Sequence, residues 1–188
     1  MPAQCSRNVR CRTYLYDRFT LTSPQNRSEG ENAGYRDVLS TIHESYSNIL
    51  LTTPVILQFH RDLMKYGAAE GGKWKSTQNE IEGRNPDGTT YTRFMPTLPH
   101  LTGDSMVKLQ EHFDKQHKEF IHDPLVLLPL YILDFLCIHP FLDGNDKMAR
   151  LIAVLELYHQ AYEVGRYISL EKLIEDTKEG VKRLALNP

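Results

Sequence analysis

A mainly α-helical domain with one β-hairpin is the fold class this sequence predicts, and three observations carry it. Apolar residues recur at three- and four-residue steps along most of the chain, the period of an amphipathic helix. Only KWKSTQNEIEG and TTYTRFMP are rich in Thr, aromatic and β-branched residues, and they flank a turn, RNPDG. The longest apolar run, PLVLLPLYILDFLCI at residues 124–138, is too long for an ordinary strand and too short for a bilayer span. It reads as a buried core helix.

Taken in order, residues 1–27 mix Pro, Ser, Asn and Arg without periodicity and read as an irregular or partly helical arm. The domain itself is expected over residues 28–180, with 181–188 as a tail. Tyr35, Leu39, Ile42, Tyr46 and Ile49 form the stripe of a first helix. TTPVILQFHRDLMKYG makes a second, with Thr53 as N-cap, Pro54 at the first helical position and Gly67 as stop. Asn85-Pro86-Asp87-Gly88 is a turn in which Pro presets φ and Gly closes, so its flanks pair as strands. Helices follow at LTGDSMVKLQEHFDKQHKEF, at Asp123 to Ile138, at MARLIAVLELYHQAYEV and at ISLEKLIEDTKEG, where Ser169 is the cap. The total is about six helices and one hairpin.

Bulk properties exclude several classes. A net charge of −2 gives no general attraction to nucleic acid or to an anionic membrane. The basic N-terminal arm has no apolar stretch behind it, so no signal peptide is read. Cys5, Cys11 and Cys137 form no CxxC pair, which fits a reduced, cytoplasmic setting with Cys137 a plain core residue. His112, His117 and His122, five apart, do not share a helix face and predict no metal site. Lys73, Lys75 and Arg84 read as a solvated basic edge of the hairpin. Trp74 reads as packing on the core, and Glu156 as the point where an apolar helix meets solvent.

The chemistry concentrates in HPFLDGNDKMAR, residues 139–150, at the mouth of the apolar run. Gly144 and Asn145 open a helix whose first N–H groups lack intrahelical partners and carry partial positive charge, an anion site. Lys147 and Arg150, three apart, project toward the same space. Asp143 suits Mg²⁺, which takes one or two carboxylates plus phosphate oxygens. His139 has an ordinary pKa suited to a general base near neutrality. Phe141 plugs the loop into the core.

This stretch resembles the core motif of the Fic family, His-x-Phe-x-(Asp/Glu)-Gly-Asn-Gly-Arg-x-x-Arg. GYRDVLSTIHESY, ILQFHRDLM, GKWKSTQNEIEG, the FMP closing the hairpin and GRYISLEKLIE also resemble Fic segments, in the same order. The resemblance implies a helical core with a hairpin flap, in a bacterial, cytoplasmic enzyme. It implies transfer of AMP from ATP to a hydroxyl side chain of a target protein docked on the flap around residues 73–95. His139 would take the hydroxyl proton and Asp143 would bind Mg²⁺. Gly144, Asn145, Asp146, Lys147 and Arg150 would line the nucleotide site. Self-association into homo-oligomers is compatible with all of this.

Two positions depart from the pattern. The family's second glycine is Asp146, and the arginine after it is Lys147, which keeps the charge but loses the planar fork. A carboxylate ~4 Å from a phosphate charge repels it by ~1 kcal/mol in water and ~4 kcal/mol at an effective dielectric of ~20. ATP binding would weaken by roughly five-fold to a thousand-fold. Alternatively Asp146, three residues from Asp143, shares its cation. The Doc-type toxins, which place lysine at this position and transfer the terminal phosphate, keep phosphotransfer open. A catalytically decayed Fic domain that acts as a protein-binding module is a further alternative. The family's inhibitory pattern, (Ser/Thr)-x-x-x-Glu-(Gly/Asn), has no match: Ser76 and Glu80 have the spacing, but Ile81 follows.

Overall fold

Two helices, ending and starting on either side of a short loop at residues 139–144, meet there, and the other elements pack about them. The computed structural model describes residues 27–162, apart from 68–69, 86 and 120–122. The expected arm, the helix ISLEKLIEDTKEG, the tail and the part of Pro86 in the turn lie outside the described residues. Within them the order is α1 (Arg27–Ser45), a 3-10 turn (Tyr46–Asn48), α2 (Thr53–Leu63), β1 (Ile81–Arg84), β2 (Thr90–Phe94), α3 (Pro99–Lys118), α4 (Pro124–Ile138) and α5 (Asn145–His159). This is the mainly helical fold with one hairpin that the sequence predicts.

Helix α5 is the centre. It packs on α1, α2, α4 and the 3-10 turn, while α3 covers α4. Its Met148, Leu151, Ile152 and Leu155 are fully buried, joined in one core by Ile42, Ile56, Leu63, Met106 and Phe135. Helix α1 lies close on α2 because glycines line the contact. A Cβ on Gly34 would meet the Leu63 carbonyl oxygen at 2.0 Å, and one on Gly30 the Tyr66 carbonyl at 2.5 Å. Helix α2 begins at Thr53 with Thr52 as its N-cap residue, one position earlier than the sequence indicates.

The hairpin is shorter than expected. KWKSTQNE is not strand; pairing starts at Ile81, opposite Phe94, and slips by one residue before Glu82 meets Thr92. Gly88 closes the turn at φ 87°, donating to the Asn85 carbonyl at 2.9 Å. Among the described residues these two strands make up the whole sheet, and β2 is exposed along its length.

Four sequence expectations need correction. Helix α4 is apolar all round, yet only Leu127, Leu128, Tyr131 and Phe135 are buried, while Leu125, Val126, Leu130 and Leu133 face outward. Cys137 lies on the exposed side as well. Glu156 is buried rather than at a solvent boundary, because His159 Nδ1 pairs with its carboxylate at 3.1 Å. Lys75 is buried, not a solvated edge residue, with only 3% of its surface exposed.

Gly34→Ala is expected to lower thermal stability, by about 1–3 kcal/mol, because backbone rather than a side-chain tip blocks the new methyl. Thermal unfolding followed by circular dichroism checks this.

Candidate functional site

Helix α4 ends at Ile138, and His139 caps it in the left-handed conformation, φ 51°, with its N–H on the Phe135 carbonyl at 2.9 Å. A non-glycine residue there stores about 1–3 kcal/mol of strain and persists only if its surroundings over-determine it. They do. Lys75 N–H donates to the Pro140 carbonyl at 2.9 Å and Lys75 Nζ to the Ile138 carbonyl at 3.2 Å. Asn79 Nδ2 donates to the Phe141 carbonyl at 3.1 Å.

Phe141 is fully buried and stacks on His60, ring centroids 3.7 Å apart, with Trp74 tilted against it at 5.3 Å. Asn145 is buried below it. Its Oδ1 accepts the Phe141 N–H at 3.0 Å, and its Nδ2 donates to the Phe141 carbonyl at 2.8 Å. Both ends of this amide are therefore engaged within the loop.

His60 ties the loop to the hairpin stem. Gly72 N–H donates to its Nδ1 at 3.0 Å, so the ring proton sits on Nε2 and points to the Asp143 carbonyl at 3.2 Å. Burial pushes this imidazole down to about 4, against the pull of the Asp143 carbonyl and charge, which keeps that tautomer neutral. Gly144 follows at φ 79°, where a Cβ would strike Met64 Cε at 2.7 Å. Its N–H donates to Asp143 Oδ1 at 2.7 Å. The glycine is thus demanded by its backbone angle.

The loop borders a cavity of about 240 Å³ lined by His139, Asp143, Gly144, Asn145, Asp146 and Lys147, with Glu31 contributed by α1. Small-molecule sites usually run to roughly 300–1,000 Å³, so the space suits the charged end of a larger ligand. Arg150, one turn along α5, is partly buried and does not line it. Lys147 Nζ is bonded to Glu31 Oε2 at 2.7 Å. Desolvation holds the His139 imidazole below its ordinary value. The Leu136 carbonyl raises it, the Lys75 cation lowers it, and the Asp146 carboxylate raises it. Its Nδ1 is buried without a hydrogen bond of good geometry.

Asp143 and Asp146 bring two carboxylates to one cavity, a hard-oxygen set that suits Mg²⁺ sharing phosphate oxygens. The residues present therefore fit that ion. Among the described residues no group of three His, Cys, Asp or Glu gathers to hold a metal by protein ligands alone, so phosphate would complete the shell. Sequence reasoning missed Glu31, His60, Lys75 and Asn79.

A hairpin beside a helix–loop–helix corner, with a histidine and an anion-binding helix start at that corner, defines a Fic-type domain. The chain belongs to the Fic/DOC family, whose model matches residues 50–157. Its fold is similar to that of a Fic family protein from Desulfovibrio desulfuricans, at TM-score 0.66 and 24% identity over 87% of this chain and 46% of that one. A Fic domain containing signaling protein from Bacteroides thetaiotaomicron matches at TM-score 0.61 and 23% identity, over 71% of this chain and 49% of its own. Fic-1 from C. elegans matches at TM-score 0.58 and 20% identity, over 80% and 42%. The chain thus spans less than half the length of these relatives, and at this identity the likeness is one of fold.

Glu31 competes with any phosphate for Lys147. Glu31→Gln is expected to tighten Mg-ATP binding about five-fold, the equivalent of a partly buried pair worth ~1 kcal/mol. Calorimetric titration of wild type and variant measures it.

Proposed function

We propose that this protein is an adenylyltransferase that moves AMP from Mg-ATP to a hydroxyl side chain of a target protein. One observation carries the reading: an imidazole held neutral at the rim of a cavity that also presents Asp143, Lys147 and the start of α5. The hydroxyl oxygen attacks the α-phosphorus, the bond to the bridging oxygen of the β-phosphate breaks, and pyrophosphate leaves. His139 takes the hydroxyl proton; with Nδ1 buried, Nε2 is the nitrogen left for it. Magnesium, held by Asp143 with Asp146 beside it, would neutralise charge on the phosphates. The main-chain N–H groups at the start of α5 and the Lys147 ammonium, released from Glu31, bind phosphate oxygens, with Arg150 reaching the terminal ones. Positioning and charge, not covalent chemistry by the protein, lower the barrier.

The target is expected to lie against the hairpin. An extended segment pairs with an open strand through its main chain, and β2 is exposed along its length. An open groove of about 610 Å³ runs from Phe94 and Met95, past Leu98 and Leu101, to Ile138, the neighbour of His139. No helix among the described residues is long and apolar enough to cross a membrane.

Asp146 favours a second reading. Its exposed carboxylate lines the cavity where a glycine would leave room for phosphate. If it turns the nucleotide, the γ-phosphate is transferred instead; if it repels the nucleotide, the domain only binds protein.

Purified protein with Mg²⁺, a bacterial lysate and ATP labelled on the α- or the γ-phosphate separates these outcomes. The α label alone should appear on protein, and His139→Ala should reduce it by at least a hundred-fold. Transfer from γ alone, or label indifferent to His139, would refute the proposal. The pH profile is a second check. Because the imidazole stays neutral to lower pH than an ordinary histidine, the acid limb of kcat should have its midpoint below 6.5.

A further inference from the structure

The segment GKWKSTQNE leads into the hairpin, and it grips the turn that carries His139. Lys75 is the unusual member: an ammonium in a nearly closed site, which costs several kcal/mol unless it is compensated. Its Nζ donates to two neutral oxygens, Asn79 Oδ1 at 3.1 Å and the Ile138 carbonyl at 3.2 Å. No carboxylate among the described residues bonds it. Its main-chain N–H holds the Pro140 carbonyl. One residue therefore holds a carbonyl on each side of His139, those of Ile138 and Pro140, across the strained left-handed turn. Asn79 accepts from the ammonium with Oδ1, which leaves Nδ2 to hold the Phe141 carbonyl, so the cation also orients that amide.

We propose that Lys75 is a positioning residue that fixes the His139 turn to the hairpin stem and presents an uncancelled cation to the imidazole. The inference rests on the reading of His139 as the proton acceptor. A cation beside a base weakens the base but keeps it unprotonated, ready for a hydroxyl proton, at pH values where a free histidine is partly charged. The groups facing His139 are Lys75, the Asp146 carboxylate and the Leu136 carbonyl, and Lys75 opposes the other two. The mechanical half of the inference is that a target seated on the hairpin pulls on residues 75–79, and through them on the carbonyls of Ile138, Pro140 and Phe141.

The test is an NMR titration of His139 in the full chain, its ring signals assigned by their loss in His139→Asn. Lys75→Gln keeps a donor for the Ile138 carbonyl and removes the charge; Lys75→Met removes both, and Lys75→Arg keeps the charge. The His139 midpoint should rise by about half a unit or more in the Gln and Met variants and stay low in Arg. If adenylyl transfer is observed, Lys75→Gln should cut kcat about ten-fold and leave the dissociation constant of Mg-ATP unchanged. An unmoved midpoint in a natively folded Lys75→Gln would overturn the proposal and leave Lys75 a packing residue. So would a nucleotide affinity that falls as far as the rate. Because the NMR arm needs no turnover, a wild type that transfers no label with the expected midpoint shift would refute the adenylyltransferase reading alone.

Discussion

Burial of Phe141 anchors the site. Its ring is fully enclosed, stacked on His60 and bordered by Trp74 and Phe135. Burying such a side chain contributes about 2–3 kcal/mol, and here the gain is coupled to geometry. Asn145 takes both main-chain groups of Phe141, so the first residue of α5 is set by a ring four residues before it. His60, which forms the floor of that ring, also bonds the Asp143 carbonyl. The positions of the proposed base, the proposed metal carboxylate and the helix start therefore share one support. A motif that looks like a row of polar functional groups is held together mainly by its one aromatic residue.

Charge shapes what the cavity accepts. Glu31, Asp143 and Asp146 contribute three carboxylates, against the single ammonium of Lys147, while His139 stays neutral. A bare phosphate entering this space meets net repulsion of order 1–4 kcal/mol per close carboxylate. A divalent cation arriving with the phosphate would offset that repulsion. Lys147 is then a gate of modest height, since its partner Glu31 is partly buried but reachable.

The fold was largely legible because the apolar pattern of its helices survives as the observed core; Ile42 of α1 and Leu151, Ile152 and Leu155 of α5 are cases in point. The motif itself was legible because Gly144 and Phe141 leave a pattern that only backbone angle and ring burial explain. What stayed hidden depends on pairs far apart in sequence. Lys75 and Ile138 are linked across 63 residues, His60 and Asp143 across 83, and Glu31 and Lys147 across 116. A lysine in a Thr-rich hairpin stem is ordinarily solvated, and nothing local marks Lys75 as the exception. The outer face of α4 misleads in the opposite direction. Its period is apolar all round, which predicts burial on every side, yet Leu130 and Leu133 are more than half exposed.

That same helix explains why so much polar chemistry follows the most hydrophobic segment. Leu127, Leu128, Tyr131 and Phe135 lock α4 into the core, so its C-terminal end is a rigid platform. The abrupt left-handed turn at His139 reverses the chain within a few residues and delivers it to the start of α5, where N–H groups converge. A flexible or polar lead-in would let water compete for the same groups and would not sustain the strain at His139. The hairpin stem, through Lys75 and Asn79, closes the corner from the remaining side. The hydrophobic run and the polar motif thus form one device: the first supplies stiffness, and the second uses it.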